Sequence, residues 1–201
     1  MTPLQPACPP LLPQQLASRS SVGPIKVFAQ EETRLGFLPV VRRRMTACGV
    51  QPVAPVTHQC ANVYLYGAVA PVTGASCFLA LPSLNSRACQ RWWDGCAATL
   101  PESLHVVVLA NGAGHKAQAV RWPSHVVPVF LPPYSPELNP IERLWRALKD
   151  KLADVAMTTI QELSDALGVM IQTYSQATRQ SLTSFPYCVQ AIATAQKALY
   201  V

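Results

Sequence analysis

The sequence predicts an α/β fold in which helices flank a mixed sheet with antiparallel members at one side. Three observations predict it. Short apolar runs at IKVFA (25–29), HVVVL (105–109) and VVPVFL (126–131) have the length and composition of strands, the second reading as buried on both faces. Two β-rich segments at 62–70 and 75–81 flank Pro71-Val72-Thr73-Gly74, the composition of a hairpin turn. Finally, LPPYSPELNPIERLWRALKDKL (131–152) joins a proline-bounded turn to a helix with an apolar stripe at Ile141, Leu144, Trp145, Leu148 and Leu152.

A chain of 201 residues is long enough for one core. Half of it is hydrophobic and 13% is charged, and no apolar run approaches the ~18–20 residues needed to span a bilayer. The first residues lack the basic and apolar regions of a signal peptide. A soluble protein without membrane partners is expected. The net charge of +6 permits a polyanionic partner but is modest for a dedicated nucleic-acid binder. Seven cysteines, an odd number without a C-x-x-C pair, point to reduced buried thiols and a cytoplasmic location.

Residues 1–24 hold six prolines and no helical or strand period, and are expected to form a flexible tail. The first strand follows and is expected to end near Ala29, running into Gln30, Glu31 and Glu32 before the break at Gly36. Those two carboxylates can be solvated edge residues or site residues. Val40 to Thr46 reads as an extended segment whose Arg42 and Arg44 share one face, which suits either an edge protected against aggregation or phosphate contact. After the hairpin, Leu84, Ala88, Trp92 and Cys96 recur every four residues and predict a helix over 84–99. Trp92 and Trp93 are read as core, and Asp94 as solvated without a partner.

In the helix at 140–152, Asn139 is placed as N-cap, Pro140 at the first helical position and Glu142 as the carboxylate of a capping box. Pro128 puts the strand before it near a sheet edge. Beyond Leu152 a helix is expected with Leu163, Leu167, Met170, Ile171 and Tyr174 buried, capped around Thr158-Thr159. A last helix is expected around Val189 to Ala198.

Three blocks of this chain, in order, resemble the catalytic motifs of DDE transposases of the mariner-like superfamily, in their bacterial insertion-sequence branch. FAQEETRLG is similar to the first, HVVVLANGAGHKAQ to the second and LPPYSPELNPIERLW to the third. The resemblance implies a ribonuclease-H-like fold. It also implies an acid triad that holds two divalent metals, Mg²⁺ or Mn²⁺, for hydrolysis and strand transfer at a DNA phosphodiester. It maps the first acid onto Glu31, where the family has aspartate, and the third onto Glu142. The second acid position is occupied by Ala110, although the neighbouring Asn111, Gly112, His115 and Lys116 match.

Catalytic and metal-binding roles are therefore expected for Glu31 and Glu142, and DNA contacts for Arg42, Arg44, His115 and Lys116. Activity and metal binding should be impaired by the alanine. The domains expected are the tail at 1–24, the catalytic domain at 25–155 and a packed helical extension at 156–201. Family members carry N-terminal helix-turn-helix modules that read element ends. The expectation is thus a truncated, degenerate transposase that depends on a DNA-binding polypeptide or on self-association. The alternative is a non-catalytic relic that binds DNA weakly or dimerises with intact transposase as an inhibitor.

Overall fold

The computed structural model describes residues 25–37, 45–51, 61–99, 103–110, 120–153, 155, 157–187, 189, 190 and 193. Five strands make one mixed sheet: β1 (Lys26–Gly36), β2 (Asn62–Val69), β3 (Ser76–Leu81), β4 (His105–Leu109) and β5 (Val126–Phe130). Their spatial order is β3-β2-β1-β4-β5. The first three are antiparallel neighbours, while β1, β4 and β5 run parallel. The antiparallel members thus lie at one side, and Pro128 lies in an edge strand, as expected. Among the described residues the helices are numbered α1 (Ser86–Thr99), α2 (Ile141–Leu152), α3 (Ile160–Thr173) and α4 (Gln176–Thr183).

β1 is longer than its apolar run predicts. Residues Lys26–Gln30 pair with β4, and Ala29–Gly36 pair with β2, so the strand continues past the end of its parallel neighbour. The antiparallel ladder sustains it there, with Thr33 and Leu35 buried and Arg34 exposed between them. Glu31 therefore lies mid-strand.

Both faces of the sheet are covered, each by its own core. One face carries Phe28, Tyr66, Ala68, Val107 and Leu109 and packs on Trp92, Trp93 and Cys96 of α1. The other carries Ala29, Leu35, Val63, Leu65 and Val69 and packs on Ile141, Leu144, Trp145 and Leu148 of α2, with Leu163 and Leu167 of α3 alongside. Alternation along β1 explains the division, since Phe28 and Ala29 must point to opposite sides.

Several local expectations change. α1 starts at Ser86 because the Asn85 side chain accepts the Ala88 N–H at 2.8 Å, which leaves Leu84 exposed outside the helix. Asp94 has a partner, accepting from Gln90 Nε2 at 2.8 Å on the exposed side of α1. α3 has the expected cap, a reciprocal box between Thr159 and Glu162. α4 was not expected, because QATRQSLT has no apolar stripe; Ser175 starts it by accepting the Thr178 N–H at 3.1 Å. The tail at 1–24, the segment at 40–44 and most of the helix expected at 189–198 lie outside the described residues. Cys48, Cys77, Cys89 and Cys96 are free thiols. Among the described residues, no helix is long and apolar enough to cross a membrane.

The seat of α2 is set by an absence of side chain. A Cβ at Gly67 would come within 2.6 Å of ring atoms of both Phe78 and Trp145, whose rings pack edge to face at 5.9 Å between centroids. Gly67→Ala should therefore displace Trp145, at a cost of about 1–3 kcal/mol for overpacking. That outweighs the ~0.4–1 kcal/mol gained by stiffening the unfolded chain. Thermal unfolding should show a midpoint several degrees lower; an unchanged or higher midpoint would mean that α2 is not seated on this contact.

Candidate functional site

The ladder between β1 and β4 ends at the pair Gln30 and Leu109. One residue further on, Glu31 and Ala110 follow side by side, where β4 stops and β1 continues. Alternation puts Glu31 on the face of Ala29, which packs in the core beneath α2. By the same rule Ala110 shares the face of Val106. On β2, Glu31 stands opposite Gly67, the residue under Trp145. The first and second acid positions of the expected triad are thus neighbours on the face that α2 covers.

Asn139 brings in the third. Its side chain does not cap α2: the residue before the helix is Pro140, already in helical conformation, and no side-chain cap bond forms. Instead Asn139 Nδ2 donates to the Gln30 carbonyl at 3.0 Å and to Glu31 Oε2 at 3.3 Å. Only its backbone carbonyl serves the helix, accepting from the Glu142 N–H at 3.2 Å. The expected capping box is therefore not formed. A proline directly after Asn139 fixes its backbone, and the nearest strong partners for its amide are on β1 rather than in the first turn of the helix.

The Glu142 carboxylate is consequently not used as a cap. It is half-buried, and burial raises its pKa above the ordinary glutamate value, with Lys149 and Arg146 pulling the other way. Glu31 is held differently: its Oε1 accepts the Glu32 N–H at 3.2 Å while Oε2 takes the Asn139 amide. The turn before α2 and the start of α2 are also braced from outside. Tyr187 Oη donates to the carbonyls of Glu137 and Leu138 at 3.3 and 3.2 Å, and the Arg143 guanidinium lies 3.9 Å over the Phe185 ring. Tyr134, in the turn between β5 and α2, has a left-handed backbone at φ 57° and a fully exposed ring.

The structure thus brings Glu31, Ala110 and Glu142 to one face of the sheet. The expected DNA contacts Arg42, Arg44, His115 and Lys116 lie outside the described residues, as does Asn111. Among the described residues, no group of three metal-ligating side chains comes together. Asn139 is the residue that sequence reasoning placed wrongly. Its place just before the helix was legible, but its 1% exposure, the sign that it bridges elements, was not.

Asn139→Ala would leave the buried Gln30 carbonyl without its donor and remove a bond from Glu31. The expected cost is about 1–3 kcal/mol by denaturant unfolding. Asn139→Asp sets a second carboxylate against Glu31 and should destabilise more at neutral pH than at acid pH, where protonation relieves the repulsion. Wild-type stability in both variants would show that the bridge does not hold the site.

Comparison with known proteins bears on the family and the fold. A family model described as DDE superfamily endonuclease matches residues 29–164, more than half of the chain. An uncharacterised protein, y4pE/y4sA of Sinorhizobium fredii (strain NBRC 101917 / NGR234), is 34% identical over 88 residues, covering 43% of this chain and 65% of its own length. Among solved structures, the mariner Mos1 paired-end complex with Mg is similar at a TM-score of 0.63 and 16% identity, over 90% of this chain and 59% of that one. The Mos1 transposase paired-end complex with left transposon end gives 0.62 and 16%, over 86% and 55%. The Mos1 complex with Mn gives 0.56 and 17%, over 79% and 51%. The chain therefore spans little more than half the length of those transposase chains and shares their ribonuclease-H-like fold. By its family match, it belongs to the DDE superfamily endonucleases.

Proposed function

We propose that this chain is a transposase-type catalytic domain for DNA cleavage and strand transfer, impaired by the loss of its second acid. The observation that carries this reading is the placement of Glu31, Ala110 and Glu142 on one face, with a methyl group where the family pattern has a carboxylate. Divalent Mg²⁺ or Mn²⁺ would supply activation of the attacking water and stabilisation of the leaving oxygen. The described residues do not fit a complete two-metal centre. Two carboxylates on separate elements are too few for hard cations that demand several oxygen ligands, and an alanine methyl offers none.

Binding of the metal is therefore weakened on this reading. Disturbing partners of metal ligands already costs ~10–100-fold in affinity or activity, and losing a ligand costs more. Glu31 is a lesser defect, since a longer carboxylate still coordinates. A second reading, a non-catalytic relic that binds DNA weakly or pairs with intact transposase as an inhibitor, is favoured by Ala110 and by Glu31 in place of the family's aspartate. DNA is the partner under both, and site recognition would come from a DNA-binding polypeptide or another copy.

We assign residues 25–155 to the catalytic unit and 156–201 to an extension, with 1–24 as a tail. The support is that Leu163 and Leu167 share the core of α2. The family match runs to residue 164, so the start of α3 is closely tied to that unit. The free thiols support a cytoplasmic location.

The test compares wild type, Ala110→Asp, Glu31→Asp and the double variant, by titration calorimetry with Mn²⁺ and by nicking of element-end DNA. Wild type should show no detectable cleavage, Ala110→Asp should recover part of the metal binding, and the double variant should exceed either single change. Robust wild-type cleavage abolished by Glu142→Ala would refute the impairment. Failure of every variant to bind metal would favour the relic.

A further inference from the structure

Cys77 and Cys96 meet between β3 and α1. On β3, Cys77 stands opposite Ala68 and turns to the α1 face of the sheet, while its neighbour Phe78 packs on Trp145 on the other. Cys96 lies in the last turn of α1 at 1% exposure, whereas Cys77 is partly exposed. The Cys96 thiol donates a hydrogen bond to Cys77 Sγ. The Thr99 hydroxyl, three residues on from Cys96, lies 2.9 Å from the Cys96 carbonyl and 3.9 Å from Cys77 Sγ. Both cysteines are free thiols.

This contact makes the two thiols unequal. Cys77 is held below the ordinary thiol value first by the bond from Cys96, with burial opposing and Thr99 adding to it. Cys96 is pushed up by the same bond and by burial. Cys77 is therefore the nucleophile of the pair, and Cys96 the thiol that keeps its proton.

We propose that Cys77 and Cys96 are a site of oxidation by hydroperoxides, closing to a disulfide between β3 and α1 that thiol reductants reopen. The Cys77 thiolate attacks hydrogen peroxide: an S–O bond forms, the O–O bond breaks and hydroxide leaves, giving a sulfenic acid. The Cys96 sulfur then attacks the sulfenic sulfur. The S–S bond forms, the S–O bond breaks, and the Cys96 proton leaves with the hydroxyl group as water. Over both steps two thiols are oxidised to one disulfide and the peroxide is reduced to water. A disulfide holds its sulfurs ~2.05 Å apart, so hydrogen-bonded thiols must close further. Among the described residues β3 is the outer strand, held by β2 on one side, which leaves its other side free to give. The competing role is packing, since a buried cysteine is also a small apolar filler. Packing requires no reaction with peroxide and no fixed partner.

The reduced whole chain is exposed to a small excess of hydrogen peroxide, the remaining thiols are alkylated, and the unreduced digest is mapped by mass spectrometry. Wild type should give one dominant linkage, Cys77 to Cys96, lost on adding dithiothreitol. The same treatment in denaturant should disperse the linkage over other cysteines. Cys96→Ser keeps a hydroxyl donor beside Cys77 but removes the sulfur that closes the bridge, so dimedone should trap Cys77 as the sulfenic acid. Cys77→Ser should leave Cys96 without that label. Cys48→Ser, at an exposed thiol, should leave the linkage unchanged.

Wild-type Cys77 and Cys96 that remain open to alkylation at peroxide levels oxidising Cys48 would overturn the proposal. So would a main product joining either of them to a different cysteine, or equal dimedone labelling of Cys96 in Cys77→Ser. Should a serine variant fail to fold, the wild-type linkage map, folded against unfolded, decides alone.

Discussion

The relative position of the two acids depends on one buried amide. Asn139 Nδ2 reaches from the residue before Pro140 to the Gln30 carbonyl and the Glu31 carboxylate, joining the start of α2 to the middle of β1 across 108 residues of sequence. Its energy is that of a hydrogen bond to a buried partner, modest as a gain and expensive to lose. Its structural effect is larger. Together with Trp145 lying over Gly67, it fixes α2 at two points along the helix, and so fixes where Glu142 stands relative to the sheet. The same bond takes Asn139 away from capping and frees Glu142 from the box in which its spacing would place it.

On the proposed reading as a metal site, this face is costly in the absence of metal. Carboxylates gathered on one face repel one another, and burial disfavours their charged forms, as the raised pKa of Glu142 shows. Cations would offset both effects. On the proposed reading, a carboxylate at position 110 would add both a ligand and a negative charge to that face, and Ala110 adds neither. Glu31 is partly accommodated without metal too, since both of its oxygens already accept hydrogen bonds from protein N–H groups.

Much of the fold was legible because burial on both faces leaves a plain trace. In HVVVL every residue after His105 is apolar, and the stripe of α2 from Ile141 to Leu152 is buried at every position predicted. The length of β1 was not legible. Its second half is polar, and what holds it extended is the ladder to β2, a contact distant in sequence. α4 was missed for a related reason: its residues carry no apolar period, and it is placed by contacts such as Gln180 Nε2 to the Val72 carbonyl at 2.6 Å. At the site, motif order led to Glu31, Ala110 and Glu142, whereas the bridging role of Asn139 follows only from the packing of α2 against β1.

The central claim is that the face shared by Glu31 and Glu142 is a metal site missing one ligand, at Ala110. Anomalous diffraction from crystals soaked in Mn²⁺ tests it most directly, with wild type and Ala110→Asp treated alike. The account predicts no ordered Mn²⁺ in wild type and a peak in Ala110→Asp within coordination distance, ~2.0–2.6 Å, of oxygens at positions 31, 110 and 142. A well-occupied Mn²⁺ in wild type, bound by Glu31 and Glu142 with another protein group in place of the missing acid, would contradict it.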